Sequence, residues 1–119
     1  DWYFYFASKT LAEREAFAYA AKTGMDIVTI CPALVIGPLM QPTVPTSIKV
    51  FFDTIKGDGE TVGNKLETIL DVRDVARALL LAYENSEASG RYICSSTPRE
   101  LCDIVNMSKS LYPNFTYPK

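Results

Sequence analysis

The sequence predicts an α/β fold, and three observations carry that reading. Helix-like and strand-like stretches alternate along the chain, in the order helix, strand, helix, strand, helix, strand, helix. Residues 27–31, Ile-Val-Thr-Ile-Cys, form an unbroken and mostly β-branched run, as in a parallel strand buried on both faces under helices. Finally, 119 residues with 48% hydrophobic content are enough for one domain with a core.

Each element can be justified in turn. Residues 5–22 are rich in Ala, Glu, Lys and Leu and contain no Pro or Gly, so they predict a helix that Gly24 caps. Ser8, Ala12, Ala16 and Ala20 recur every four residues, and this row of small side chains predicts the face that another element approaches. The strand at 27–31 follows, and Pro32 is expected to stop its ladder. A proline-bearing loop leads to a short helix at 47–56, with Ile48, Phe51, Phe52 and Ile55 on one side. A polar loop and a short strand at 68–72 come next. Residues 71–85 then predict a strongly amphipathic helix, with Val72, Val75, Leu79, Ala82 and Tyr83 on one face. A turn at 86–90 precedes a strand at 91–96. The last helix is expected to open at Thr97 as N-cap, with Pro98 in the first helical position and Glu100 as the capping-box acid. Leu101, Ile104, Val105 and Leu111 form its buried side, and residues 112–119 read as an irregular tail. A fold of this class seldom starts on a helix without a strand before it. The chain therefore reads as the second half of something larger.

Composition excludes several functions. The formal net charge is −2, which gives no basic field for nucleic acid. No apolar run is long enough to span a bilayer and no leading segment suggests secretion, so the expected setting is cytoplasmic, away from membranes. The three cysteines, Cys31, Cys94 and Cys102, match no zinc spacing, and the chain has no histidine. That argues against a metal site and against Ser-His or Cys-His catalysis. The cysteines are expected to be reduced and mostly buried.

The chemistry concentrates at the start, in "DWYFYFASK". Tyr5 and Lys9 are four residues apart, so on a helix they lie about 40° apart around the axis and one turn along, within reach. Tyr3, six residues from Lys9, falls on another face. A free phenol titrates near pH 10, and an adjacent ammonium favours its phenolate. Such a tyrosine can give a proton to a carbonyl oxygen while hydride reaches the carbon. The alternative is an aromatic helix end beside a solvated lysine. "GDGETVG" at 57–63 imitates a dinucleotide-binding loop, but it follows a helix and opens none, so a surface loop is the better reading. Taken alone, Pro32, Ala33, Leu34 and Val35 read as a plain strand exit, and Ser47 as a helix N-cap.

Five motifs occur in order: Tyr-x-x-x-Lys, "SKTLAE", "CPALVIGPLMQPT", "DVRDVARALLLAYE" and "GRYICSS". Together they resemble the extended short-chain dehydrogenase/reductase family over nearly the whole chain. More narrowly, they look like the plant dihydroflavonol reductase and cinnamoyl-CoA reductase group. The resemblance implies that residues 1–119 are the C-terminal part of an epimerase/dehydratase-type domain. The fold implied is a Rossmann-type NAD(P)-binding fold with its small substrate-binding region and without its N-terminal half. It implies NADP-dependent reduction of a phenylpropanoid or flavonoid substrate. Tyr5 would be the proton donor, and Lys9 would tune it and hold the nicotinamide ribose. Pro32, Ala33, Leu34 and Val35 would lie along the nicotinamide, and Ser47 would touch the cofactor. The Gly-rich phosphate loop and an upstream catalytic Ser or Thr of such enzymes are not in this stretch, so the chain alone is expected to be inactive. Two alternatives remain: a non-catalytic truncated relative that pairs with a full-length reductase, and a sugar epimerase of the same extended family.

Overall fold

The computed structural model describes residues 2–56 and 65–117, with Trp2 described in its backbone only. The loop at 57–63 lies outside the described residues. The elements are α1 (Trp2–Thr23), β1 (Val28–Pro32), β2 (Leu34–Ile36), α2 (Thr46–Lys56), β3 (Leu66–Glu67), β4 (Ile69–Asp71), α3 (Val72–Glu84), β5 (Gly90–Cys94), β6 (Arg99–Glu100) and α4 (Leu101–Leu111). The four helices and the three main strand regions match the expected alternation. The short β2, β3 and β6 add to it.

Two parallel pairs organise the fold. β1 pairs with β5, with Val28 opposite Gly90 and Pro32 opposite Cys94. β2 pairs with β4, with Leu34 opposite Ile69 and Ile36 opposite Asp71. Parallel neighbours need long crossovers, and here the helices supply them. The stretch from Val28 to Ile36 thus changes partner at Ala33. Pro32 does not stop the ladder: it belongs to β1, and the Ala33 N–H donates to the Cys94 carbonyl at 2.9 Å. Successive N–H groups point to alternate sides of a strand, so the N–H that proline lacks would have faced away from β5.

Local chemistry sets the helix ends. Gly24 closes α1 with φ 72°, a left-handed conformation suited to glycine, and its N–H donates to the Ala20 carbonyl at 2.9 Å. Asp71 caps α3: its carboxylate accepts from the Arg73 N–H at 2.8 Å. The start of α4 departs from expectation. Thr97 and Pro98 precede the helix, which begins at Leu101 after Glu100, and Glu100 makes no side-chain cap bond. Arg99 and Glu100 instead form β6, antiparallel to β3, and the Leu101 N–H donates to the Lys65 carbonyl at 2.9 Å. Tertiary strand pairing satisfies the helix's first donor, so the capping box is not used.

The core sits between α2 and α4. Ile55, Leu101, Ile104 and Val105 are buried together, with Phe51, Ile69 and Tyr117 against them. Outside this cluster Leu70 and Ala88 are also buried, while many other described apolar side chains are exposed. β1 is half-buried rather than enclosed on both faces, and Ile93 of β5 is 78% exposed. On α3, Val72, Leu79 and Tyr83 are exposed, with Tyr83 at 88%, and Leu111 of α4 is exposed as well. The chain measures 54 × 30 × 30 Å with a radius of gyration of 17.5 Å. A compact domain of this length has a radius of roughly 13–14 Å. The accessible surface is 9381 Å², against about 6,400 Å² for a folded monomer of this mass. Among the described residues, large apolar side chains on α1, α3 and β5 are exposed.

Candidate active site

The first turns of α1 bring Tyr5 and Lys9 together. The helix starts at Trp2, so Tyr3 is also helical, but the two residues four apart are the ones that meet. Lys9 Nζ lies 5.6 Å from the centre of the Tyr5 ring, in cation–π range. Phe6 meets the same ring edge-on, with centroids 5.7 Å apart. Tyr5 is 51% exposed, so an incoming molecule can reach it. Ser8, between the pair, donates its hydroxyl to the Tyr5 carbonyl at 2.7 Å, which leaves the hydroxyl bound to the helix backbone.

The other candidates lie on different elements. Pro32 ends β1, Ala33 is the hinge where the strand changes partner, and Leu34 and Val35 open β2. Ala33, Leu34 and Val35 are half-buried, and Pro32 is exposed. Ser47 lies in the first turn of α2, one residue inside the helix rather than at its cap. The candidates thus form two groups, one on α1 and one along the β1–β2–α2 path.

A polar cluster joins these groups, and sequence reasoning missed it. Glu13 of α1 accepts from Arg91 of β5, from the Thr29 hydroxyl at 3.0 Å and from the Cys31 thiol at 3.4 Å. Thr29 sits opposite Arg91 in the strand register, and Cys31 lies two residues on, so all three donors share one sheet face. The Glu13 side chain is only 14% exposed. The Arg91 hydrogen bond holds its carboxyl below the usual range against the opposing effect of burial, with Thr29 and Cys31 adding to the shift. Burial and the bond to Glu13 push the Cys31 thiol up, which keeps it an unreactive donor. The half-buried face of α1 is therefore Glu13, Ala16, Phe17 and Ala20; Ser8 and Ala12 of the expected small-residue row are exposed. The available signal was spacing: Thr29 and Cys31 alternate on one strand face, and Glu13 lies one turn beyond Lys9.

Beyond Val35 the chain opens into an apolar cavity of about 890 Å³, lined by Ile36, Gly37, Ile48, Phe52, Leu111 and Phe115 among others. Its far wall comes from the stretch read as an irregular tail. The Tyr117 hydroxyl donates to the Ser108 carbonyl at 2.8 Å, and Phe115 stacks edge-on with Tyr117 at 5.2 Å. Among the described residues no group of His, Cys, Asp and Glu could hold a metal ion, and no helix is long and apolar enough to cross a membrane.

Parallel strands joined through helices, with a Tyr-x-x-x-Lys pair on the leading helix, define a Rossmann-type α/β protein. The chain belongs to the NAD dependent epimerase/dehydratase family, whose model matches residues 3–94. It is similar to cinnamoyl-CoA reductase 1 of Petunia hybrida, at 38% identity over 118 residues, covering 99% of this chain and 35% of that protein. It is also similar to dihydroflavonol 4-reductase of Zea mays, at 37% identity over 116 residues, covering 97% and 32%. Among solved structures, vestitone reductase from alfalfa (Medicago sativa L.) superposes with a TM-score of 0.83 at 31% identity, covering 95% of this chain and 36% of that one. The resemblance read from the motifs is thus confirmed. The chain spans about a third of the length of the curated relatives it matches.

Proposed function

We propose that the whole protein is an NADP-dependent reductase of an aromatic, phenylpropanoid-type carbonyl compound: a cinnamoyl thioester, a hydroxycinnamaldehyde or a dihydroflavonol. The observation that supports it is the exposed Tyr5 ring with Lys9 Nζ 5.6 Å from its centre, on the leading helix of a reductase-like fold.

The residues present fit a nicotinamide cofactor. Lys9, with three N–H donors on a flexible stem, would hold the nicotinamide ribose. Pro32, Ala33, Leu34 and Val35 would flank the ring at the end of a parallel strand, where such folds take ligands. Ser47 would offer a hydroxyl from the first turn of α2. When bound, the cofactor supplies the hydride. Tyr5 holds a proton at its phenol oxygen and gives it to the substrate oxygen as charge develops there. The Lys9 ammonium stabilises the phenolate left behind. The phosphate-binding part of the site would come from outside this stretch. The remainder of the whole protein would also cover the exposed faces of α1, α3 and β5, so residues 1–119 alone would be inactive.

The deciding experiment incubates the whole protein with NADPH or NADH and, separately, a cinnamoyl thioester, a hydroxycinnamaldehyde, a dihydroflavonol and a nucleotide sugar. Loss of nicotinamide absorbance with an aromatic carbonyl, faster with NADPH, supports the reading. Turnover of the nucleotide sugar alone would assign the epimerase branch of the family. No turnover of any substrate, with co-purification of a full-length reductase, would assign a non-catalytic partner.

A further inference from the structure

The Glu13 cluster is not part of the proposed proton transfer, yet it links the two groups of candidate site residues. We propose that Glu13 is a positioning residue: its contacts with Arg91, Thr29 and Cys31 fix α1 on the sheet and so place Tyr5 and Lys9 against the end of β1. The inference rests on the reductase reading for its catalytic consequence, but the anchoring itself stands on geometry.

Three features carry it. First, a carboxylate stands on the packed face of α1 beside Ala16, Phe17 and Ala20, where a helix on a parallel strand ordinarily presents aliphatic groups throughout. A carboxylate that is 14% exposed at such a place costs stability unless it is paired, and three donors pair it here. Apolar contacts tolerate sliding, whereas directional bonds to a single carboxylate hold one register of helix against strand. Second, Lys9 and Glu13 are four residues apart and Tyr5 is four further back, so all three lie along one row of α1. A rigid helix transmits any shift at Glu13 to Lys9, one turn away, and to Tyr5, two turns away. Third, Thr29 and Cys31 lie on β1 three residues and one residue before Pro32. The same contacts therefore refer the catalytic helix to the strand whose end would carry the nicotinamide. Misplacing a reacting group by about 1 Å can cost roughly 10²-fold in rate.

The test uses the whole protein with Glu13→Gln, Arg91→Gln and the double variant, each assayed where circular dichroism shows it fully folded. Glu13→Gln keeps the length and an acceptor for Thr29 and Cys31 but loses the ion pair. We expect kcat to fall about tenfold or more in each single variant, while KM for the carbonyl substrate changes less than threefold. The double variant should lose no more than the worse single, because both substitutions break one link. Spin labels introduced through unnatural residues at the exposed Lys22 and Glu87 should show a shifted or broadened distance in Glu13→Gln. A kcat within twofold of wild type in an active enzyme would overturn the proposal, whatever the distances show. If the wild-type protein turns over no substrate, the reductase reading fails on its own. The label distance then decides the anchoring alone, and an unchanged distribution overturns it.

Discussion

Lys9 Nζ stands 5.6 Å from the centre of the Tyr5 ring, one turn along the same helix. The pair is local to α1, made by residues four apart. Tyr5→Phe removes only the hydroxyl from a half-exposed ring, and should leave the melting temperature within a degree or two while lowering kcat by about 10²–10⁴-fold. Lys9→Met should lower kcat and also raise KM for the cofactor, since the lysine is assigned both tasks. Steady-state kinetics on the whole protein check both. A Tyr5→Phe enzyme retaining half the wild-type kcat would remove Tyr5 from the chemistry.

Residues 1–119 by themselves should bind NADPH too weakly to register in calorimetry and should reduce nothing. The reason is physical. Tyr83 of α3 and Ile93 of β5 are exposed, and the sequence offers no Gly-rich phosphate loop between a strand and a helix. These exposed side chains should bind a hydrophobic dye strongly, as large uncovered apolar patches do. A micromolar dissociation constant for NADPH would contradict the assignment.

Asp71 gives a prediction about acid. Its carboxylate takes the Arg73 guanidinium at 2.6 and 2.9 Å as well as the Arg73 N–H, and these bonds hold its pKa at about 2 rather than the ordinary 3.8. A depressed carboxylate stabilises the fold above its unfolded value, and that stabilisation is lost as pH falls from 3.8 toward 2. Asp71→Asn retains an acceptor for the α3 N-terminus but removes the titration. Its melting temperature should therefore fall less steeply than wild type across this window. Asp71→Ala, which removes the cap too, should melt lower than Asp71→Asn at neutral pH. Melting curves between pH 2 and 7 test the order of the three.

Residues whose neighbours in space are also neighbours in sequence were legible. The Tyr5–Lys9 pair and the Gly24 stop follow from spacing and capping within one turn, and α3 follows from its amphipathic periodicity. What depends on distant chain was not legible. The Thr97–Pro98–Glu100 signal is a sound capping box, but β6 pairing with β3 overrides it. Pro32 reads as a ladder stop because sequence does not reveal which edge of β1 its missing N–H faces. Glu13 carries no such local signal, because an acidic residue on a helix usually faces water, and only the β1–β5 pairing sets Arg91 beside Thr29, where both reach its carboxylate. The small-residue row is half right: Ala16 and Ala20 lie on the half-buried face of α1, while Ser8 and Ala12 are exposed. That face also contains the charged Glu13, which is paired there by donors from β1 and β5.

Gly37 offers a test of the junction between β2 and α3. Its φ is 150°, outside what side-chain-bearing residues readily adopt, and a Cβ there would stand 2.6 Å from Val72 Cγ1 and 3.3 Å from Val72 Cβ. Two separate costs therefore attend Gly37→Ala: backbone strain of about 1–3 kcal/mol, and a clash with a β-branched side chain that has few rotamers to escape into. Val72 is the first residue of α3, so relieving the clash by movement would disturb the helix that Asp71 caps. Gly37→Ala should lower stability measurably in urea titrations of the whole protein. Adding Val72→Ala removes the Cγ1 contact but not the strain, so the double variant should recover part of the loss and not all of it. Full recovery would mean that the backbone conformation costs nothing, and no recovery would mean that Val72 is not what the new methyl meets.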